Sequence, residues 1–258
     1  MDEVTWGLDL STDPHKCAAV AIRWHPDRAE IVAVRTPLRP GEIVDLIASE
    51  TGPFAVDVPF GWPDTFVQFL AEHQQGAQQP PGDRDAWRIS TLARRLTDER
   101  LRHIALPLPA SFDRLGRTAV MWSAIEHDLR AQGVVIDRSG TTGRVCETYP
   151  KALQVSWGLG KVKLSLDLLR AAFPFLEVPE AMAGRLATDD ARDAVVCSLA
   201  ARARELGLTD LPAAEELDQA RREGWIHITS VSPSGLLRSA PSGRPAMSGP
   251  TPRSISGA

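Results

Sequence analysis

The feature that most constrains the fold is an aspartate set inside an alternating apolar segment near the N terminus. Apolar residues occupy every second position from Val4 to Leu10, which is the period of a β-strand with one buried face. Asp9 interrupts the opposite face, although aspartate is depleted in strands and is costly to bury without a partner. A carboxylate there predicts either hydrogen bonds from a neighbouring turn or a functional site at the end of the strand.

Three more segments predict the rest of a sheet. Residues 17–24 and 29–36 are β-rich, and the sequence His-Pro-Asp-Arg at 25–28 between them predicts an antiparallel hairpin. Helical apolar spacing follows over 41–50, and a short buried strand follows within 52–63. Three strands, a helix and a strand in this order predict a mixed sheet with a crossover helix, and hence the α/β class.

The remainder of the chain is more helical and ends in a polar stretch. We predict helices over 88–104 and 117–132 and near 161–173, 188–206 and 211–222, and strands at 134–137 and 143–150. The last residues are rich in Ser, Gly and Pro, so they cannot bury much apolar surface. We therefore predict one domain over 1–230 with a helical insertion at about 64–132, and a flexible tail over 231–258.

Composition narrows the functional classes. The formal net charge is -4, so the surface as a whole does not attract nucleic acid, and a nucleic-acid role needs a local basic patch. The three cysteines are far apart in the sequence and form no CxxC pair, which predicts a reduced, cytoplasmic protein. No apolar run approaches the ~20 residues of a membrane span, and the acidic start is unlike a signal peptide. We therefore expect no membrane association.

Further acids repeat the pattern seen at Asp9. Asp57 lies in an apolar strand and Glu147 closes another, while Asp190 and Asp193 are three residues apart and share one face of a predicted helix. Plain structural roles are available: the two strand aspartates can serve turns, Glu147 can be solvated, and Asp190 suits the first helical turn. Asp193 lies past that turn, where the helix dipole no longer favours an acid.

Together these acids predict one shared carboxylate cluster. Clustered carboxylates repel one another and burial raises their pKa values, and a divalent cation relieves both costs. Mg²⁺ and Mn²⁺ prefer oxygen ligands, and two such ions about 3.5–4 Å apart can activate a water and stabilise the leaving oxygen in phosphodiester hydrolysis. We predict metal ligands at Asp9, Asp57, Asp190 and Asp193, and catalytic roles for Asp9, Asp57, Glu147 and Asp193.

The order of the motifs carries a family resemblance. The segments GLDLS, AVDVPFGWP, RRLTDERLR, ETYP, DARDAVVCSLAARA and EGWI follow one another from about residue 4 to residue 228. In that order they resemble a family of uncharacterised bacterial and archaeal proteins described as predicted ribonuclease H-like nucleases. The resemblance implies a ribonuclease H-like fold, with a mixed five-stranded sheet whose first three strands are antiparallel and which helices flank.

More distantly, the chain resembles Holliday-junction resolvases of the RuvC type. Those proteins carry an acid on strand one, another on strand four, and an Asp-x-x-Asp-Ala helix, which here correspond to Asp9, Asp57, Asp190 and Asp193. A related resolvase-like group carries a strand-five glutamate near the place of Glu147. The resemblance thus implies the same carboxylate cluster that the strand pattern predicts.

The resemblance also implies a substrate-binding segment. The residues that match the family's Arg-x-Thr-Asp segment are Arg94, Arg95, Thr97, Asp98 and Arg102. Arginine forks bind phosphate bidentately, so this segment would hold a nucleic-acid or nucleotide phosphate. The alternative is a solvated helix with pairs such as Asp98–Arg102. Lys151, beside the ETYP motif, would add positive charge.

Three functions remain open. The leading prediction is a metal-dependent nuclease or phosphodiesterase that cleaves nucleic acid or nucleotides with Mg²⁺ or Mn²⁺. The second is a non-catalytic module that binds nucleic acid or a partner protein. The third is an ATP-using phosphotransferase of the actin and sugar-kinase type, which the sequence disfavours because Leu10, Ser11 and Thr12 follow the first aspartate where those proteins have glycine.

Overall fold

The computed structural model describes residues 3–77, 92–111 and 113–238 of the chain. Within these residues six strands form one mixed sheet, and helices pack on both of its faces. The strands are β1 (Glu3–Asp9), β2 (Ala18–Trp24), β3 (Ala29–Arg35), β4 (Phe54–Asp57), β5 (Val145–Glu147) and β6 (Leu176–Glu177). The α-helices are α1 (Pro40–Ser49), α2 (Asp64–Gln74), α3 (Leu96–Arg100), α4 (Asp113–Ala131), α5 (Pro150–Ser156), α6 (Leu166–Ala172), α7 (Glu180–Ala183), α8 (Asp189–Glu205) and α9 (Leu217–Glu223). Short 3-10 helices cover Pro14–Lys16, Gly184–Leu186 and Pro233–Leu237.

The strands are ordered β5–β4–β1–β2–β3–β6 across the sheet. As predicted, β1, β2 and β3 are antiparallel neighbours, and the His25 N–H donates to the Arg28 carbonyl (2.8 Å) in the predicted turn. On the other side of β1, β4 and β5 run parallel to it. The prediction of five strands is wrong by one, because β6 contributes only Leu176 and Glu177 and is too short to show a period of two.

The segment predicted as a strand at 134–137 is a loop. Ile136 is buried, which accounts for the apolar sequence. Asp137 accepts hydrogen bonds from the hydroxyls of Ser139 (2.6 Å), Thr141 (2.9 Å) and Thr142 (2.9 Å). Side-chain bonds of this kind hold a turn and compete with the pairing of a strand.

The predicted helices are present with shifted bounds. α4 and α8 correspond to the predictions at 117–132 and near 188–206. The helix predicted over 88–104 is reduced to the five residues of α3, and its first part lies outside the described residues. In the described part of the chain, no helix combines the length and the apolar character needed to cross a membrane.

One face of the sheet packs against α1 and α4. The buried cluster on this face includes Leu8, Phe54 and Val56 of the sheet, Ile43 and Ile47 of α1, and Trp122, Ile125 and Leu129 of α4. Phe60, just after β4, stacks on Trp122 with ring centroids 4.4 Å apart. Burial of a side chain of this size contributes roughly 1.5–3 kcal/mol to the free energy of unfolding, so this layer stabilises the sheet.

The other face packs directly against α8, with backbone touching backbone at Gly7. A Cβ atom there would lie 2.1 Å from the Ala194 carbonyl oxygen and 2.1 Å from the Ser198 nitrogen, so the contact requires glycine. Two residues earlier, the Thr5 hydroxyl is hydrogen-bonded to the Ser198 hydroxyl (2.9 Å). Because side chains alternate along a strand, Asp9 faces α8 as well.

The segment predicted as a flexible tail begins with packed residues. Leu236 is buried in the 3-10 helix Pro233–Leu237. The Arg202 guanidinium on α8 donates to the carbonyls of Leu236 (3.3 Å) and Arg238 (2.9 Å). The chain is therefore attached to α8 as far as residue 238, and residues 239–258 lie outside the described residues.

Candidate active site

Asp9 and Asp57 lie side by side at the ends of two parallel strands. They are direct partners in the register of β1 and β4, two residues beyond the pair of Gly7 and Ala55. Ala55 packs in the buried cluster that includes Val196 of α8, so Asp57, two residues later, lies on the α8 face of the sheet with Asp9. Both side chains are partly exposed. The parallel pairing thus joins two carboxylates from distant parts of the sequence.

α8 brings two more acids to this edge. Its N-terminus is capped by the Thr188 hydroxyl, which accepts a hydrogen bond from the Ala191 N–H (3.2 Å). Asp190 and Asp193 are three residues apart on the helix and therefore share a face. Asp193 directly precedes Ala194, the residue whose carbonyl touches Gly7 of β1. The close packing of the helix therefore places the two acids beside the strand ends.

Burial and mutual repulsion raise the pKa values of this group. Burial, and then the charges of Asp57, Asp193 and Asp190, raise the pKa of Asp9 well above its usual range. Burial, and then Asp193 and Glu147, do the same to the pKa of Asp57. Burial is also the main cause that raises the pKa of Asp190, and it raises the pKa of Asp193 to about 6. Asp9, Asp57, Asp190 and Asp193 thus form one electrostatic group, called here the carboxylate group.

The carboxylate group has little compensation from the protein. Within the described ranges, neither Asp9 nor Asp57 accepts a side-chain hydrogen bond or forms a salt bridge. In the same ranges, no set of three or more His, Cys, Asp or Glu side chains is arranged to hold a metal ion. Mg²⁺ commonly uses one or two protein carboxylates and keeps several waters. The adjacent pair of Asp9 and Asp57 fits that smaller requirement.

A buried glutamine holds Asp193. The Gln154 side chain on α5 donates from Nε2 to Asp193 Oδ1 (3.0 Å) and accepts at Oε1 from Lys151 Nζ (3.4 Å). Lys151 also donates to the Val162 carbonyl (3.0 Å). The structure therefore places the predicted residue Lys151 next to the carboxylate group, and Gln154 connects the two.

Glu147 is turned away from the carboxylate group. In the register of β5 it faces Val56, whereas Cys146 is paired with Ala55, so its side chain lies on the face away from α8. Arg95 donates to both of its oxygens, from Nη1 to Oε2 (2.9 Å) and from Nη2 to Oε1 (2.7 Å). The Phe60 N–H donates to Oε2 as well (2.9 Å). The position of Glu147 therefore indicates a structural role, unlike the catalytic role predicted from sequence.

Three of the residues predicted to bind substrate are internal. Arg95 is 2% exposed and also donates from Nη2 to Asp98 Oδ1 (3.0 Å) and from Nη1 to the Glu223 carbonyl (3.2 Å). The buried Thr97 hydroxyl accepts a hydrogen bond from the Ile226 N–H (2.9 Å). Because the Arg95 fork is filled by carboxylates, Arg95, Thr97 and Asp98 join α3 to β5 and to the segment after α9, and they are not placed to bind phosphate.

The other two arginines of that segment share one acid. Arg94 Nη1 lies 3.4 Å from Glu99 Oε1, and Arg102 Nε donates to Glu99 Oε2 (2.9 Å). The pair Asp98–Arg102, which the alternative interpretation expected, is not formed, because Asp98 is bound to Arg95. The structure therefore does not bring Arg94 or Arg102 into contact with the carboxylate group.

Comparison with known proteins identifies a family whose description names no activity. A family model described as "Protein of unknown function (DUF429)" matches residues 7–217. The chain belongs to the DUF429 family. Searches of the curated proteins and of the solved structures gave no significant match. The matched range holds the whole carboxylate group of this DUF429 protein and the Arg95–Glu147 pair, so both belong to the family domain.

Two residues near the carboxylate group of this DUF429 protein were missed by sequence reasoning. Gln154 gives no sequence signal, because a buried glutamine that orients an acid has no characteristic spacing. Tyr149 lies inside the quoted motif ETYP, so its position could have been noticed. Burial, and then the charges of Asp57 and Asp193, raise the pKa of Tyr149, which indicates that its hydroxyl lies near those acids.

Proposed function

We propose that this DUF429 protein is a metal-dependent phosphodiesterase that hydrolyses nucleic acid on a ribonuclease H-like fold. One observation carries the proposal: Asp9 and Asp57 are register partners at adjacent strand ends, with acids of α8 beside them and without a neutralising side chain of their own among the described residues. Uncompensated carboxylates at partly buried positions lower the free energy of unfolding, and a bound cation would offset that cost.

The order of the strands supports the fold part of the proposal. Apart from β6, the sheet reads β3–β2–β1–β4–β5, with an antiparallel meander on one side of β1 and parallel strands on the other. This agrees with the mixed five-stranded sheet that the resemblance implies. β6 extends the β3 edge and lies away from the acids.

The residues of the site suggest separate roles. When bound, Mg²⁺ or Mn²⁺ would supply positive charge and lower the pKa of a coordinated water. Asp9 and Asp57 would hold the ion, and Asp190 would add negative charge nearby. Asp193, oriented by Gln154, would position the attacking water. Tyr149 keeps its proton at neutral pH because burial and neighbouring acids raise its pKa, so it can donate a hydrogen bond to a phosphate oxygen.

The direct test is the variant Asp9→Asn, which removes a charge and keeps the shape. We expect Mg²⁺- or Mn²⁺-dependent cleavage of single-stranded, duplex or junction substrates to fall by about a thousandfold, or about 4 kcal/mol in transition-state stabilisation. The control is Asp218→Asn, whose side chain is 84% exposed on α9 and, among the described residues, pairs with Arg221. Its turnover is expected to equal that of the unmodified protein.

Two outcomes would contradict the proposal. One is that the unmodified protein cleaves none of the nucleic-acid substrates with either ion while it still binds them, which favours the non-catalytic module. The other is that Asp9→Asn and Asp218→Asn turn over substrate at the same rate, which removes the carboxylate group from the reaction.

A further inference from the structure

The lysines of this chain are few and are concentrated in one region. The sequence has four, whereas the other basic residues are arginines spread along the chain. Lys16 ends the 3-10 helix that follows β1, and Lys151 lies in the first turn of α5. Lys161 and Lys163 lie in the connection between α5 and α6. All four therefore come from segments that border the carboxylate group, and we call them the lysine rim.

Two contacts anchor the segment that carries Lys161 and Lys163. Lys151 Nζ donates to the carbonyl of Val162, which stands between Lys161 and Lys163 in the sequence (3.0 Å). Lys163 Nζ binds the carboxylate of Asp189, the first residue of α8. These contacts hold the connection between α5 and α6 against the start of the helix that carries Asp190 and Asp193.

Lys16 approaches from the opposite side. Its own segment follows β1, the strand that ends in Asp9, and it is exposed. Burial raises the pKa of Asp190, and the positive charge of Lys16 is among the influences that oppose this rise. In the sheet order Lys16 lies on the β2 side of the paired strands β1 and β4, and Lys151, with the connection that it contacts at Val162, lies on the β5 side.

Arg192, in the first turn of α8, does not supply this charge. Arg192 Nη1 donates to the carbonyls of Leu186 (2.7 Å) and Ala187 (2.7 Å), and Nη2 donates to Asp189 (2.6 Å). Its side chain is only 12% exposed, whereas that of Lys163 is 84% exposed. The more exposed positive charge at the start of α8 therefore comes from lysine, whose ammonium binds phosphates as a flexible point charge.

From this placement we infer that the lysine rim binds phosphates on both sides of the one that is cleaved, so that the substrate is a polynucleotide and not a mononucleotide. The inference rests on the proposed function. An acidic cleavage site repels a polyanion, and cations at its border offset that repulsion at the neighbouring phosphates. Such contacts read no bases, so binding is sequence-independent and weakens steeply with salt.

The test measures binding separately from cleavage. In the Asp9→Asn background, fluorescence anisotropy follows a labelled single-stranded oligonucleotide over a series of salt concentrations. We expect Lys161→Gln with Lys163→Gln to weaken binding by about twentyfold near 0.1 M salt, and to lower the salt slope by about 1.4. Lys16→Gln is expected to cost about fivefold from the other side.

A charge-matched control is Arg28→Gln with Arg117→Gln. Arg28 lies in the hairpin at the opposite end of β2, and Arg117 is an exposed residue of α4 on the other face of the sheet. Binding equal to that of the double-lysine variant overturns the inference. So does a mononucleotide that competes as well, per molecule, as the oligonucleotide.

The failure of the inference can be told apart from the failure of the proposed function. Hydrolysis of bis(p-nitrophenyl) phosphate, a small diester without flanking phosphates, is expected to fall much less than oligonucleotide binding in the double-lysine variant of the otherwise unmodified protein. Loss of this small-diester activity would show that the lysines act on the chemistry, which overturns the inference. If the unmodified protein hydrolyses no diester at all, the proposed function fails while the binding comparison still decides the inference.

Discussion

Two groups of carboxylates lie at the same edge of the sheet, and they differ in whether a basic side chain neutralises them. Glu147 and Asp98 are almost fully buried, and the Arg95 guanidinium binds both. Asp9 and Asp57 are partly exposed, and among the described residues no cation binds them. The charges of the first group are compensated within the protein, whereas those of the second have no cationic side chain as a partner among the described residues.

The two groups differ in the charges that surround each acid, and neither burial nor sequence position alone reveals this difference. For Glu147, burial raises the pKa, and the Arg95 charge and hydrogen bonds oppose that rise. For Asp9, burial and every neighbouring charge act in the same upward direction. An acid whose neighbours all oppose its ionisation costs folding free energy, so its retention points to function. Four predictions test this difference, and the variant expected to cost the most stability comes first.

Arg95→Ala breaks the compensated group. It leaves Glu147 and Asp98 buried without a cation, so we expect the free energy of unfolding to fall by about 3–5 kcal/mol in urea denaturation. The control is Arg102→Ala, whose side chain is 54% exposed and pairs with Glu99, and about 0–1 kcal/mol is expected there. Similar losses for the two variants would mean that the buried Arg95 contributes no more to stability than the exposed Arg102.

On the proposed function, a divalent cation would supply the positive charge that the carboxylate group lacks. At a concentration of Mg²⁺ or Mn²⁺ a hundredfold above Kd, the free energy of unfolding is expected to rise by about 2.7 kcal/mol. Asp57→Asn is expected to remove this gain, and the exposed variant Asp218→Asn to keep it. Thermal melts with and without the ion make the measurement, and an equal rise in both variants would place the ion elsewhere.

Asp193→Asn is expected to stabilise the protein in a pH-dependent way. Burial raises the pKa of Asp193 to about 6, so the folded state holds a proton that the unfolded state releases nearer pH 4. The cost of this carboxylate is therefore absent at low pH, grows as the pH rises through that window, and is complete above it. The variant should match the unmodified protein near pH 4 and exceed it by about 1–2 kcal/mol at pH 8. A constant difference across that range would exclude the titration of Asp193 as its source.

Gln154→Leu is expected to have the smallest effect, because it removes an orienting bond and keeps every charge. We expect kcat to fall by about tenfold with little change in KM, and stability to change by about 1 kcal/mol. Gln68→Leu is the matched control, since Gln68, within the described ranges, is bonded to Glu72 on the exposed side of α2. If KM rises instead and kcat is unchanged, Gln154 contributes to binding and not to the orientation of Asp193.

The sequence predicted the carboxylate group better than its surroundings. Asp9 and Asp57 are recognisable because each interrupts an apolar alternation, and Asp193 because it lies where a helix dipole gives it no support. Glu147 also ends an apolar strand, but the register of β5 places its side chain on the face of the sheet away from α8. Its partner Arg95 lies just before α3, and no local pattern predicts a contact between such distant segments.

The same limit explains the other differences. The arginine segment shows the charge of a phosphate-binding helix, and only the fold reveals that Arg95 is enclosed. The apolar run at 134–137 is buried as a loop, so hydrophobicity alone predicted burial correctly and strand pairing wrongly. Local periodicity reports which faces are buried, and contacts between distant segments decide which charges are compensated.

The backbone contact at Gly7 has a consequence for the choice of ion. No layer of side chains separates β1 from α8 at that point, so the gap between the strand ends and the acids of the helix is fixed by two peptide backbones. A gap of fixed width discriminates by ionic radius, because oxygen ligands lie about 2.1 Å from Mg²⁺ and about 2.4 Å from Ca²⁺. On the proposed function, Asp9 and Asp57 on the strands hold the ion and Asp193 on the helix positions its water, so a larger ion would leave that water less room.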